Sequence, residues 1–200
     1  RSRRQRQMCI RDRRAALYTR AGIRFGGGKA DRSLIPNTAL EVASETKELF
    51  WDIRTGRIRI DSPRTQGFAG FPASGTAVVC RNVEFRLTSD FAAVVLISCD
   101  GLPLDSSRRM LLATVARGWN KGMKYNLLRN RIVKAGTLPI VLQPVEGEVA
   151  LSGKHAGYRV ERMDISGRKL GECHTERKDG TVRFRLDHAV YYAISALQSQ

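Results

Sequence analysis

The chain has 200 residues, of which 42% are hydrophobic and 27% are charged, and it carries a formal net charge of +16. This length suffices for one hydrophobic core and at most a second small one, and the composition is ordinary for a globular protein. No apolar stretch reaches the roughly 18 residues of a membrane-spanning helix, and the basic N-terminus lacks the apolar region of a signal peptide, so we expect no membrane partner.

Positive charge is concentrated in residues 1–14, where seven arginines and one aspartate supply +6 of the net charge. Within them, Met8-Cys9-Ile10-Arg11-Asp12-Arg13 resembles the translation of a transposon-end adapter used in sequencing libraries. We therefore interpret residues 1–14 as an artefactual tail, with a disordered basic arm as the alternative. Under either interpretation the segment has too little apolar surface to fold.

Residues 15–44 are predicted to be the end of a preceding domain or a linker, with one strand at 17–25 followed by a loop. The run Gly26-Gly27-Gly28-Lys29 suggests a phosphate-binding loop. The P-loop pattern, however, needs a glycine five residues before its final Gly-Lys pair and a Ser or Thr after it. Ile23 and Ala30 occupy those positions, so a flexible turn is the better interpretation.

The remainder of the chain, residues 45–197, predicts many short strands separated by turns. Thr55-Gly56, Ser166-Gly167 and Asp179-Gly180 are typical of the turns in β-hairpins. The predicted strands cover residues 49–54, 57–61, 65–71, 76–80, 83–88, 92–99, 110–116, 140–143, 147–151, 158–165, 170–175, 181–186 and 189–196.

This pattern predicts an all-β fold, an antiparallel β-sandwich or jelly-roll spanning residues 45–197. Long amphipathic helices between strands, which a parallel α/β sheet requires, do not occur in the sequence. The continuous apolar run at 92–99 is expected to be the central strand, with 110–116 as its neighbour, and these two strands should centre the core. Gly67 and Gly70 indicate a bulge or a close approach of the backbone.

The stretch 117–137 interrupts this strand pattern. It is irregular and basic, and we predict one short helix within it, at 127–135. Strand signals resume after Pro139.

Three further side chains are predicted to be buried because of the apolar runs in which they lie. Cys80 and Cys99 are expected to be buried free thiols, with a Cys80–Cys99 disulfide as the alternative. Trp51 begins a strand beside Phe50 and is predicted to be a core residue.

Five blocks of the sequence follow one another in a recognisable order. They are Glu48-Leu49-Phe50-Trp51-Asp52 through Ile60-Asp61-Ser62-Pro63-Arg64-Thr65-Gln66-Gly67, Ser107-Arg108-Arg109-Met110-Leu111-Leu112, Ala116-Arg117-Gly118-Trp119-Asn120-Lys121-Gly122-Met123, Leu138-Pro139-Ile140-Val141-Leu142-Gln143-Pro144-Val145-Glu146-Gly147, and the closing hairpins with the strand around Tyr191-Tyr192. Together they resemble a region that follows the catalytic barrel in a group of bacterial glycoside-hydrolase-like proteins.

The resemblance extends over residues 45–196, although residues 126–135 depart from its pattern. It implies an accessory C-terminal β-sandwich whose catalytic glutamates lie upstream, in a (β/α)₈ barrel. It therefore implies that the chain is a fragment of an enzyme without the active site, and that the missing N-terminal barrel is its partner.

Side chains suited to catalysis or metal binding form no group in the sequence. Glycosidases need two carboxylates facing each other across the sugar, and the acidic residues here lie beside turns or on the polar side of alternating strands. Cys173 and His174 are adjacent in a strand and point to opposite faces, which disfavours a shared metal ion. No Gly-x-Ser-x-Gly elbow occurs. We expect no catalytic residue, no metal and no cofactor, and hence no glycoside hydrolysis by this chain.

Trp119, Met123 and Tyr125 stand among glycines in a basic segment and are the candidate contact residues. We predict that they dock against the missing barrel, with carbohydrate contact as a secondary role because sugars stack on exposed aromatic rings. The alternative is a basic nucleic-acid- or polyanion-binding β domain. That alternative would use the cations Arg117, Lys121, Lys124, Arg129, Arg131 and Lys134. No recognised nucleic-acid motif accompanies them, so nucleic acid is not the expected partner.

Overall fold

The computed structural model describes residues 40–72, 76–155 and 157–197. Within these ranges the regular structure consists only of β-strands, and all of the strand pairs are antiparallel. The predicted all-β antiparallel fold is therefore confirmed. The strand predicted at 17–25 and the interpretation of residues 1–14 as a tail lie outside the described residues.

The larger sheet has nine strands. They are β1 (Glu41–Ala43), β2 (Leu49–Asp52), β3 (Arg57–Asp61), β4 (Thr65–Gly70), β7 (Ala92–Ser98), β8 (Arg109–Val115), β14 (Tyr158–Met163), β15 (Lys169–Glu172) and β18 (Tyr191–Ala196). Hydrogen-bonded neighbours follow the order β1-β2-β3-β4-β7-β8-β18-β14-β15. The last strand, β18, therefore pairs with β8 and β14, neither of which is adjacent to it in sequence.

The smaller sheet has five strands. They are β5 (Val78–Val79), β6 (Val83–Leu87), β13 (Gly147–Ser152), β16 (Thr175–Lys178) and β17 (Thr181–Leu186), in the order β16-β17-β13-β6-β5. Between β8 and β13 the chain forms two short ribbons: β9 (Gly118–Lys121) pairs with β12 (Thr137–Leu142), and β10 (Lys124–Tyr125) pairs with β11 (Ile132–Lys134).

The nine-stranded and five-stranded sheets bury their facing side chains against each other. In β6, Val83, Phe85 and Leu87 are buried, whereas Glu84 and Arg86 between them are not, as expected for a strand with one face on the core. The strands predicted to centre the core, β7 and β8, both contribute buried residues, so that prediction is confirmed. The core includes Phe68, Val83, Phe85, Leu87, Ala92, Val94, Leu96, Met110, Leu112, Val149, Leu151, Val160, Val182, Phe184, Leu186, Tyr192 and Ile194.

Gly67 and Gly70 allow a close backbone approach, as predicted. A Cβ atom on Gly67 would lie 2.5 Å from the carbonyl oxygen of Val94 on the neighbouring strand. Gly70 has φ +139°, and a Cβ atom there would collide with the carbonyl oxygen of Gly56. Both sites therefore need a residue without a side chain.

The helix predicted at 127–135 is wrong. This part of the chain forms a turn followed by strand β11. The Asn126 side-chain oxygen accepts hydrogen bonds from the backbone N–H groups of Asn130 and Arg131, at 3.1 and 3.2 Å. Such a side chain competes with helical backbone hydrogen bonds. The β-branched pair Ile132-Val133 then favours a strand.

The three cysteines in the described residues have free thiols. Cys80 is buried, as predicted, and burial raises the pKa of its thiol to about 11. Cys99 is exposed, so the prediction of its burial is wrong. The reason is that β7 ends at Ser98 and places Cys99 in the following turn. The alternative Cys80–Cys99 disulfide is not formed.

Asp100 organises the turn that joins β7 to β8. Partial burial raises the pKa of its carboxyl group, but hydrogen bonds from the Arg108 backbone N–H at 2.6 Å and from the Ser107 and Ser98 hydroxyls, both at 2.9 Å, outweigh that effect. The net result is a pKa far below the usual value for aspartate. The carboxylate thus stabilises the folded chain only while it is ionised.

Acid should therefore destabilise the protein through Asp100. Because its folded-state pKa is lower than the unfolded value of about 3.9, the stabilisation is complete above roughly pH 4 and is lost as the pH falls through the folded-state pKa. We expect Asp100→Asn to lower the melting temperature at pH 7, and the gap from the unmodified chain to shrink in acid. Asp90→Asn, at an exposed carboxylate, is the control and should have little effect. A gap that stays constant from pH 7 to about pH 2 would contradict this assignment.

Candidate functional site

The nine-stranded sheet carries apolar side chains on the face that points away from the core. The strand register aligns the outward positions of β2, β3, β4, β7, β8 and β18 in rows across the sheet. These positions are Leu49, Trp51, Ile58, Ile60, Thr65, Gly67, Ala69, Ala93, Val95, Ile97, Arg109, Leu111, Ala113, Val115, Tyr191, Ala193 and Ser195. Arg109 is the one charged residue among them. We call this set the outer apolar face.

The outer apolar face is accessible, since of its members only Gly67 is buried. Six strands at about 4.8 Å spacing make it roughly 24 Å wide. An antiparallel sheet with one solvated face normally alternates apolar inward and polar outward residues. This sheet departs from that rule over its central strands, whereas the outward residues Glu84 and Arg86 of the smaller sheet obey it.

The outer apolar face continues toward the segment that follows β8. Val115 ends β8 on the outward side and is 41% exposed. Ala116 is then buried and Arg117 exposed, so the inward–outward alternation carries on past the end of the strand. Trp119 follows on β9, where it lies opposite Val141 of β12.

Residues 117–142 form a projecting excursion, which we call the β-arm. It is closed at its base by a 2.8 Å hydrogen bond from the backbone N–H of Gln143 to the carbonyl of Arg117. Halfway along, the Asn120 side-chain amide donates to the carbonyl of Ala135 at 3.1 Å. Most side chains of the β-arm are exposed, and its apolar residues include Leu138, Ile140 and Val141.

The three predicted contact residues all lie on the β-arm. Trp119 on β9 is 36% exposed and Tyr125 on β10 is 48% exposed, while Met123 in the turn between these strands is half-buried. Within the described residues, neither aromatic ring stacks on another ring; Trp119 is paired with Val141, and Tyr125 with Ile132. The structure thus brings the three residues onto one element without joining them in one pocket.

Sequence reasoning missed the outer apolar face. The signal was present, because Ala92-Ala93-Val94-Val95-Leu96-Ile97 is apolar at every position. That run predicts a central strand, but the pattern alone does not show whether one or both of its sides are covered. The apolar residues on the returning strand of the β-arm, Leu138, Ile140 and Val141, were also not singled out.

The β-arm is strongly cationic. Its charged residues are Arg117, Lys121, Lys124, Arg129, Arg131 and Lys134, all exposed, and no acidic residue occurs between Arg117 and Val145. None of these cations forms an ion pair with any part of the chain that the structure describes. Their charge is therefore available to a partner.

A groove of about 570 Å³ lies at the open edge of the sandwich, between β1–β3 and the short strand β5. Its wall includes Phe50, whose ring centroid lies 3.9 Å from the guanidinium carbon of Arg59. Arg59 also forms a 3.0 Å ion pair with Asp61. Trp51 lines the groove and is only partly buried, so its assignment to the core is wrong. The reason is that Trp51 belongs to the outer apolar face and points away from the smaller sheet.

Two carboxylates elsewhere in the described residues have structural roles. Asp52 and Asp164 cap turns through hydrogen bonds to neighbouring backbone N–H groups. No cluster of three or more His, Cys, Asp or Glu side chains in the described ranges could hold a metal ion. In the same ranges no helix is long and apolar enough to cross a membrane.

These features define an antiparallel, sandwich-like β domain with one accessible apolar sheet face and a cationic β-arm. Comparison of the chain with known protein families, with curated proteins and with solved structures found no match.

Proposed function

We propose that this chain is a non-catalytic accessory module that packs its outer apolar face against a neighbouring catalytic domain. The supporting observation is the face itself: across six adjacent strands its outward positions include one charged residue, Arg109. Contiguous apolar surface of this kind marks interaction sites in soluble proteins. The sequence blocks that resemble a glycoside-hydrolase-like protein suggest the neighbour, a catalytic barrel earlier in the same polypeptide.

The distribution of polar residues around the face is consistent with such an interface. Domain interfaces combine an apolar centre with a polar rim, and aromatic residues and arginine are enriched in them. Small and β-branched residues such as Ala93, Val95 and Ala113 occupy the centre of the face. Arg117 and Trp119 follow the end of β8 in the chain, and under the proposal they belong to this rim. In this arrangement Trp119 contacts the neighbouring domain, and any contact with carbohydrate is secondary.

Val95→Lys tests the proposal in the longer polypeptide, with its catalytic domain, that the proposal implies. A lysine at the centre of the face must be desolvated on docking, so cleavage between the domains should become about tenfold faster, the effect of losing about 1.4 kcal/mol. The isolated chain should keep its strand content, because Val95 points away from the core. Val79→Lys, the same change on an exposed edge strand of the smaller sheet, is the matched control.

Trp119→Ala in the same experiment separates docking from sugar binding. Under the proposal this change also loosens the interface but leaves retention on polysaccharide unaltered. Loss of polysaccharide retention with unchanged cleavage would instead make sugar binding the main role. Unchanged cleavage in both Val95→Lys and Trp119→Ala would refute docking through this face.

A further inference from the structure

The end of the β-arm presents two leucines to solvent. We call residues 124–134, which comprise β10, β11 and the turn between them, the arm tip. Leu127 is 100% exposed and Leu128 is 77% exposed. Tyr125, Ile132 and Val133 add partly exposed apolar surface directly behind them. Large aliphatic side chains held fully in water favour any partner that buries them, because removing apolar surface from water is favourable.

The turn that carries the leucines is held in place by its own hydrogen bonds. The backbone N–H of Asn126 donates to the carbonyl of Arg131 at 2.9 Å, and that of Arg129 donates to the carbonyl of Asn126 at 2.9 Å. The Asn126 side chain bonds the Asn130 side chain at 2.7 Å. This network fixes the loop with its leucines outward, so they do not fold back onto the ribbon.

Cations flank the two leucines along the ribbon. Lys124, Arg129, Arg131 and Lys134 all belong to the arm tip, and all are exposed. The structure gives none of the four an ion pair with a described residue, and no acidic side chain lies between Arg117 and Val145. The arm tip therefore combines exposed aliphatic side chains with unpaired positive charge.

We propose that the arm tip binds an anionic lipid surface, with Leu127 and Leu128 entering the interfacial region of the bilayer. The cations would then lie at the level of the lipid phosphates. Apolar side chains flanked by lysine and arginine are the combination that binds such interfaces, because apolar burial and attraction to anionic headgroups add together. This site uses residues other than those of the outer apolar face, so it goes beyond the proposed docking function and does not depend on it.

Other partners fit the arm tip less well. Single-stranded nucleic acid is bound by cations together with aromatic platforms, whereas the foremost side chains here are aliphatic and cannot stack with bases. A second copy of the chain is disfavoured because each arm tip carries four exposed cations and no acidic residue to pair with those of the other copy. An acidic protein would need a pocket shaped for the two leucines, a match that a lipid interface does not require.

This proposal departs from the sequence-based expectation of no membrane partner. That expectation rested on a search for membrane-spanning apolar stretches. Two leucines among four cations in an eleven-residue tip have low average hydropathy and leave no signal in such a search. Only their position at the end of a hairpin makes them available together.

Vesicle co-sedimentation provides the test. The full chain should bind vesicles of phosphatidylglycerol mixed with phosphatidylcholine at about 0.1 M salt and should not bind pure phosphatidylcholine. Leu127→Asn combined with Leu128→Asn should weaken binding by about tenfold or more, because the cations alone cannot replace apolar insertion. Leu102→Asn combined with Leu170→Asn, at exposed leucines elsewhere, is the matched control and should bind normally.

The contribution of the arm-tip cations to vesicle binding is tested with separate variants. Lys124→Gln combined with Arg131→Gln should also weaken binding, whereas Arg177→Gln combined with Lys178→Gln, an equal loss of charge at exposed residues of β16, should not. Leu127→Asn alone serves if the double leucine variant does not fold, since this side chain is fully exposed. Three outcomes would overturn the proposal: no binding to the anionic vesicles, binding that is indifferent to both leucines, or equally tight and leucine-independent binding to single-stranded DNA.

Discussion

Replacing Tyr192 by alanine is expected to lower the free energy of unfolding by about 3–5 kcal/mol, the range for removing a large aromatic side chain from a core. Tyr192 on β18 is 0% exposed. Its ring centroid lies 6.0 Å from that of Phe184 on the opposite sheet. The change would thus leave a cavity where the two sheets meet, and urea unfolding measures the loss.

Two further variants, Tyr192→Phe and Tyr191→Ala, separate the contribution of the hydroxyl hydrogen bond from that of the buried ring. The Tyr192 hydroxyl accepts a 2.7 Å hydrogen bond from the backbone N–H of Asp187. Tyr192→Phe keeps the ring but leaves that N–H without its partner, which should cost about 1–3 kcal/mol. Tyr191→Ala removes a partly exposed ring on the outer apolar face and should cost clearly less than Tyr192→Ala. Equal losses at positions 191 and 192 would show that β18 does not face the core as described.

Gly67→Ala is expected to destabilise the chain by about 3 kcal/mol, at the upper end of the range for inserting atoms into a packed site. The new Cβ atom would lie 2.5 Å from the Val94 carbonyl oxygen and 3.0 Å from the Val95 Cα atom. Both are backbone atoms of β7, which is hydrogen-bonded to β8 on its other side. The clash therefore cannot be relieved by a side-chain rotation.

Gly180→Ala is the control for Gly67→Ala. Gly180 has φ +74° in the turn between β16 and β17, and a Cβ atom there would meet nothing within 4 Å. Alanine at this site should cost about 1–2 kcal/mol, because only its left-handed backbone conformation is unfavourable. A loss at Gly67→Ala no larger than at Gly180→Ala, measured by urea unfolding, would contradict the close approach of β4 to β7.

The strands that local sequence patterns predicted are those with a clear alternation or a distinctive turn. β6 and β17 alternate apolar and charged residues, and both were predicted within a residue or two. At Asp179-Gly180 both residues have positive φ, 52° and 74°, as the favoured two-residue hairpin turn requires. These features depend on residues close together in the chain, so the sequence carries them directly.

The β-arm shows where local patterns were insufficient. A basic segment without clear periodicity suggested a short helix at 127–135. The outcome depended on hydrogen bonds from the Asn126 side chain and on pairing between β10 and β11, across a turn that gives no strong hairpin signal. Trp119, Met123 and Tyr125 were singled out because large side chains among glycines and cations are unusual in a buried segment, and all three lie on the β-arm. Their role as contact residues stays a prediction.

By itself, the amino-acid sequence determined that the chain forms antiparallel strands and which strands centre the core. Both follow from side-chain alternation, apolar runs and turn chemistry within a few residues. Only the tertiary structure decided that β18 inserts between β8 and β14, and that the outward residues of six strands combine into one accessible apolar face. The sequence pattern of an apolar strand is the same whether other elements pack on one or both of its faces, because those elements are distant in the chain.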